Sequence, residues 1–504
     1  MMPSTAVLLN AGPVQVRYEN GFLRTLSMGN RELVRMIYFA LRNPDWSTAR
    51  IDITNERIDQ TYDTFHVDYN WLVNDLGIHM AGHVAMQGHS DGRIAVVFQG
   101  EALSTFQRNR IGICVLHPLI GTTGQPCQIT SPDGSQSNGL FPELIRPNQP
   151  FLGIQSMTWQ TAFGDTLQLE FAGDVFETED QRNWTDASFK TYSTPLTIPI
   201  PATVPAGTIV EQRVHFQPIS LADETASAPI APVASEQPEN TLRIGLGQRA
   251  DGQRLRDTEI ASLKKLVLSH LRADVFLSSP DWTDHLQNAR SDAQALGIPL
   301  DLALFFSTDS AKELSDFLAF LETNPTTIQS VSLFNLANRI TSDTLLTKLV
   351  PILRAQLPTV PIGGGTDANF AEFNRNRFTY DLVDFVTFSI NPQVHAFDNQ
   401  TIMENVAAQA DVVRSARYLT NNKPVRISAV TLLPRFNPAL STTFPIPLPL
   451  TDPRQSTHFA ADWTKASRQI LQGAGAVSVT YFETHGPRGI VDDETVFPVF
   501  NSLL

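Results

Sequence analysis

From Leu242 to the C-terminus the chain repeats one grammar eight times, and that repetition limits its fold more than any other feature. Short apolar runs alternate with amphipathic segments. The runs are "LRIGLG", "ADVFLSS", "LDLALFFS", "IQSVSLFNL", "VPIGGGT", "DFVTFSINP", "PVRISAVTLL" and "AVSVTYFET". They are continuous rather than alternating, as expected of parallel strands buried on both faces. Between them, segments such as "DTEIASLKKLVLSHL", "SAKELSDFLAFLET", "TLLTKLVPILRAQL" and "TIMENVAAQADVVRSARYL" carry apolar residues at helical spacing. Eight such units in about 260 residues are the count and length of a (β/α)8 TIM-like barrel. A doubly wound open sheet is the alternative, and eight units fit the barrel better.

The first 222 residues follow a different pattern. Alternating runs such as "RIDITNERI", "FHVDYNWLV", "LQLEFAGDVFE" and "GTIVEQRVHFQP" are separated by Gly, Pro, Asn and Asp. They predict a large, supersandwich-like β-sandwich. Residues 223–240, rich in Ala, Pro, Ser and Glu, read as a linker, and residues 241–504 as the barrel.

A net charge of −14 and the lack of a basic patch argue against nucleic acid as a partner, and none is expected. No apolar stretch is long enough to span a bilayer, so no membrane partner is expected. The N-terminus lacks a basic stretch and a signal-length apolar run, which points to the cytoplasm. Two cysteines, Cys114 and Cys127, suit free thiols in a reducing compartment better than a bridge.

Barrel active sites lie where strands end and loops begin. Those positions hold Asp281, Trp282, Ser307, Asn335, Asn338, Asp367, Asn369, Asn391, Gln393, His395, Thr431, Glu483 and His485. Amides, hydroxyls and a few carboxylates suit a small, hydroxyl-rich ligand, although Asx and Ser residues also serve as caps and turns. In the last strand's "YFETHGPRG", Glu483 and His485 point the same way if the chain stays extended, and they form an acid/base pair on that condition.

Three apparent motifs carry no chemistry. "GHSDG" matches a hydrolase elbow, but a strand follows it where the elbow needs a helix, so it reads as a hairpin turn. His79, His83 and His89 lie in strand-like sequence, where four residues span about 13 Å, too far to share a metal ion. "GGGTD" lacks the Gly-Lys-Ser/Thr of a phosphate loop; its glycines read as sites of close approach by a ligand or another backbone. No metal or cofactor is called for.

One window differs from the rest. A chain only 17% charged places six charges between Glu177 and Lys190: Glu177, Glu179, Asp180, Arg182, Asp186 and Lys190. "EDQRNWTDASFKTY" mixes the amides, aromatics and charges that clamp a sugar-like ligand, or that neutralise one another at an interface.

That window, with "CQITSPDGSQSNGLFPELIRPNQPF" and "YFETHGPRG", resembles the D-apionate lactonase family along nearly the whole chain, and most specifically from Gly173 to Leu196. The resemblance implies a cytoplasmic hydrolase that opens D-apionolactone, a small-molecule sugar lactone, to D-apionate in D-apiose breakdown. Lactone opening needs an activated water, a stabilised oxyanion and a proton for the leaving alkoxide. Glu483 or Asp180 is the expected base and His485 the acid. Arg182 and Lys190 are expected to stabilise the oxyanion or a carboxylate. Glu179, Asn183, Asp186, Asn335, Asp367 and Asn391 are expected to bind substrate. A glycoside hydrolase is the first alternative, weakened by the lack of carboxylates near the fourth and seventh strands, although Asp367 and Glu483 form an atypical pair. A non-catalytic carbohydrate-binding protein is the second.

Overall fold

The computed structural model describes residues 6–223, 242–436 and 447–504. The linker expected at 223–240 lies almost wholly outside the described residues. The contacts divide the described residues into two compact units. One runs up to Gln181 and from Ser188 to Asp223; the other takes Arg182–Ala187 and everything from Leu242 onward.

The first unit is a sandwich of antiparallel sheets with eight and nine strands. Its strands are amphipathic with period two. In Phe65–Asp75, for example, Phe65, Val67, Tyr69, Trp71 and Val73 are buried while their neighbours reach outward. Inward residues of both sheets form one core, in which Phe39 of one sheet lies 5.2 Å from Trp71 of the other, and Trp71 stacks on Phe98. "GHSDG" closes the antiparallel pair Ile78–Gly88 and Ile94–Ala102, and His79 and His83 stand on the first of these strands. Cys114 and Cys127 are buried and free.

The second unit is a closed barrel of eight parallel strands: Arg243–Gly247, His270–Phe276, Leu300–Phe306, Ile328–Asn335, Ile362–Gly365, Phe385–Ile390, Val425–Val430 and Ser478–Glu483. Helices α1 (Asp257–Leu263), α2 (Trp282–Leu296), α3 (Ser310–Thr323), α4 (Asp343–Gln356) and α5 (Phe370–Arg375) each follow one of the first five strands. The pair α6 (Asn399–Asn405) and α7 (Ala408–Leu419) follows the sixth, and α8 (His458–Gly473) the seventh. The glycines of "GGGTD" permit close packing. A Cβ at Gly363 would sit 2.2 Å from the Phe385 ring, and one at Gly365, where φ is +150°, would sit 1.9 Å from the Thr387 carbonyl oxygen. Among the described residues no helix is long and apolar enough to cross a membrane.

Continuous apolar runs suggest an oily barrel interior, yet the interior is partly polar. Along the second strand His270, Arg272 and Asp274 share a face, as period two requires. The His270 Nε2 meets Thr480 Oγ1 at 2.8 Å, and Arg272 donates to Ser428 at 2.9 Å. Deeper in the barrel Arg426 donates to Ser330, which donates to Asp301. Burial drives the His270 pKa down to about 4, so the ring is neutral at physiological pH.

Candidate active site

The charged window is a buried hairpin, not a solvated loop. Strand Phe176–Asp180 pairs with Ser188–Tyr192, setting Glu179 opposite Lys190. Those two form an ion pair, and Lys190 also lies 5.1 Å from the centroid of the Tyr192 ring. Asp180 accepts from the Arg146 amide at 3.2 Å. The tip, Arg182–Ala187, belongs to the barrel unit. There Arg182, fully buried, pairs with Asp411 of α7 at 3.0 Å. Asn183 accepts from Asn374 of α5 at 2.9 Å. Asp186 binds His395 at 2.5 Å and Asn405 of α6 at 2.9 Å. The Thr185 hydroxyl donates to the Asn391 carbonyl at 2.8 Å. Each of these polar groups is thus saturated by α5–α7 and the loop after the sixth strand, as buried charges must be. Arg182, Asn183 and Asp186 do not line the cavities that open at the strand ends.

Two adjoining cavities occupy those strand ends. The smaller is lined by Glu483, Arg488, Thr431 and Asp452 among others. The larger is lined by Arg339, Asp367, Asp281 and Trp282 among others. Asp274, Arg435 and Gln248 line both.

The shared wall is a ring of alternating charge. Arg272 donates to Asp274 at 2.8 Å and to Asp367 at 2.5 Å; Arg435 donates to Asp367 at 3.0 Å and also to Asp274. Burial pushes the Asp274 carboxyl up, but the two guanidiniums outweigh it and hold the group below the usual carboxylate range. Asp274 is therefore a charged acceptor with no proton to give.

Glu483 is different. Opposite Gly247 the eighth strand carries an extra residue, Phe482, at φ +48°, a bulge that re-aims the side chain that follows. One carboxylate oxygen accepts from Arg488 at 2.7 Å; the other, Oε2, is buried with no hydrogen-bond partner. Burial pushes its pKa up against the pull of Arg488, Arg435 and the Ala250 amide. Past Glu483 the chain turns: the Glu483 amide donates to the Arg488 carbonyl and the Gly486 amide to that of Val491. The extended course that would align Glu483 with His485 is thus absent. His485 is buried outside both cavities, beside the Thr484 hydroxyl at 3.0 Å, and burial lowers its pKa.

Other rim residues serve the loops. Asn335 donates to the Ile340 carbonyl and to Ser342, Asn391 donates to Asn369, Ser307 bonds Glu313, and Gln393 bonds Asp452. Sequence reading missed Arg272, Asp274, Arg339, Arg435 and Arg488. The first two hide in the apolar run "LRADVF". The other three lie in loops where only the count of arginines after strand ends marks them.

Two family models match the chain: "D-apionate lactonase, N-terminal domain" over residues 2–220 and "D-apionate lactonase, TIM barrel domain" over residues 244–504. The chain belongs to the D-apionate lactonase family. A D-apionate lactonase of Brucella anthropi is 28% identical over 511 residues, covering 96% of this chain and 83% of that protein. Membership makes the chain an enzyme acting on lactones. Among solved structures, a β-glucuronidase from Ruminococcus gnavus in complex with D-glucaro 1,5-lactone aligns at TM-score 0.37 and 10% identity, over 91% of this chain and 68% of that one. A GH36 α-galactosidase from Geobacillus stearothermophilus aligns at TM-score 0.30 and 8% identity, over 95% and 79%. These likenesses are remote, and nothing about the lactonase rests on them.

Proposed function

We propose that this lactonase opens D-apionolactone to D-apionate in the smaller cavity, with Glu483 as general base. The observation that carries the reading is the Glu483 carboxylate, anchored through one oxygen on Arg488 and unbonded at the other. A buried carboxylate with a raised pKa is a stronger proton acceptor than a solvated one. Glu483 takes a proton from water as the water oxygen bonds to the acyl carbon. The carbonyl electrons pass to oxygen, and Arg435, fixed by two aspartates, faces that oxyanion. Collapse breaks the ring C–O bond, and the departing alkoxide takes the proton back from Glu483. The new carboxylic acid then releases its proton to solvent. Asp367 serves by holding Arg435 and Arg272.

In this reading the hairpin residues Glu179, Asp180, Arg182, Asn183, Asp186 and Lys190 are scaffold, as are Asn335, Asn391 and His485. Two buried free thiols accord with a cytoplasmic setting. The glycoside hydrolase alternative needs two available carboxyl groups. Asp274 and Asp367 are each bound by two guanidiniums, which leaves Glu483 without a free second carboxylate among them.

The test is acid release in a pH-stat from D-apionolactone beside a nitrophenyl glycoside panel. Wild-type enzyme should release acid from the lactone and no phenol. Glu483→Gln should lower kcat by about 10²–10⁴-fold, whereas Asp180→Asn should stay near wild type. Near-wild-type turnover by Glu483→Gln rules out the base assignment.

A further inference from the structure

The larger cavity contains a cation that the mechanism above does not use. Arg339 is 4% exposed and makes no ion pair with any described carboxylate. Its guanidinium carbon lies 4.8 Å from the ring centroids of Phe276, Phe305 and Phe436. The Nε atom is buried without a hydrogen-bond partner. The backbone is committed to this arrangement. Arg339 sits at φ +61°, a left-handed conformation costly for a residue with a Cβ. It is held there because its carbonyl accepts from the Thr366 hydroxyl and the Asp367 amide, both at 3.0 Å.

A buried cation among phenylalanines destabilises a fold unless something pairs with it. The carboxylates on the same wall are already engaged: Asp251 by Arg249 at 3.0 Å, Asp281 by Ser279 and by His285 at 3.5 Å, and Asp274 and Asp367 by Arg272 and Arg435. Rings over the faces of a guanidinium leave its in-plane N–H groups to bind a carboxylate in fork geometry.

We propose that Arg339 binds the carboxylate of the opened sugar acid, making the larger cavity a product-holding site beside the hydrolytic one. The inference rests on the Glu483 reading for the identity of that acid. The lactone enters neutral. Hydrolysis creates a carboxylate next to Glu483, which repels it; Arg339, which feels Asp367 and Asp274 but forms an ion pair with neither, lines the larger cavity across the Asp274–Arg435 wall. Arg339 is thus a product-binding residue and takes no part in bond making or breaking.

The experiment titrates D-apionate into wild-type enzyme, Arg339→Met and Arg339→Lys by calorimetry, and measures initial rates on D-apionolactone with and without added D-apionate. Arg339→Met should bind D-apionate about tenfold or more weakly, and its product-inhibition constant should rise by the same factor. Its product-free kcat/KM should stay within about threefold of wild type. It should melt no lower than wild type, because an unpaired buried charge is removed. Arg339→Lys keeps the charge without the planar fork and should fall between the two; it carries the test if the methionine variant does not fold. Unchanged D-apionate affinity in the variants overturns the proposal. Lactone hydrolysis by wild type without saturable D-apionate binding overturns it too, and leaves the Glu483 reading standing. Arg339-dependent D-apionate binding by an enzyme that leaves the lactone intact upholds the anion site and removes the Glu483 reading.

Discussion

At the scale of the residue, the chemistry assigned to Glu483 depends on a balance between burial and Arg488. The base acts only when deprotonated, and burial shifts that deprotonation to higher pH than an ordinary glutamate shows. The acid limb of kcat/KM should therefore rise with pH through a midpoint above the usual carboxylate range. Arg488→Met removes a cation that favours the charged form and frees Oε1. It should move the limb to still higher pH, read from a pH–rate profile on the lactone. A limb that stays put, or moves down, would show that Arg488 does not tune this carboxylate. Little of this was legible beforehand. Glu483 is singled out only by the rule that strand ends carry the site. The bulge at Phe482, which separates Glu483 from His485, has no signature in "YFETHGPRG", because a left-handed phenylalanine is imposed by packing and not by propensity.

At the scale of the element, helix α5 carries a second titrating carboxylate. Glu372 Oε2 is buried with no hydrogen-bond partner, and burial raises the pKa to about 7. A folded pKa above the unfolded one means that the folded state binds more protons between the two values. Stability from this group is thus complete below pH ~4.5 and is lost as pH rises through about 7. The effect amounts to roughly 1–3 kcal/mol. Glu372→Gln should flatten the fall in Tm between pH 5 and pH 8, checked by thermal melts across that range; an unchanged slope would remove Glu372 as its source. The neighbouring hairpin shows what composition can and cannot tell. Its density of charge marked it as special, and it is special. However, the same residue types clamp a sugar or lock a segment against helices, and only the partners, Asp411, Asn374, His395 and Asn405, distinguish the two.

At the scale of the whole molecule, both architectures were legible because each depends on a repeated period. Alternation in "FHVDYNWLV" gives a strand with one buried face, and eight continuous runs separated by amphipathic helices give a barrel. The polar interior was not legible, since Arg272 and Asp274 occupy positions where their neighbours supply the apolar signal. Nor was the allocation of Arg182–Ala187 to the barrel unit, which sequence order conceals. That allocation has a measurable consequence. A fragment beginning at Leu242 lacks the hairpin-tip partners of Asp411, Asn405 and His395, which the full chain buries against them. It should melt below the full chain and bind a hydrophobic dye; a fragment as stable as the intact protein would make the six residues dispensable to the barrel.

The ring formed by Arg272, Asp274, Arg435 and Asp367 has two positive and two negative members in alternation, so it separates the cavities while carrying no net charge. The potential across it is then set by what stands on either side, a carboxylate at Glu483 and a guanidinium at Arg339. A neutral lactone crosses such a gradient without preference, whereas an anion is drawn one way. The partition therefore behaves as a rectifier: opening the ring is itself what makes the molecule responsive to the direction of travel.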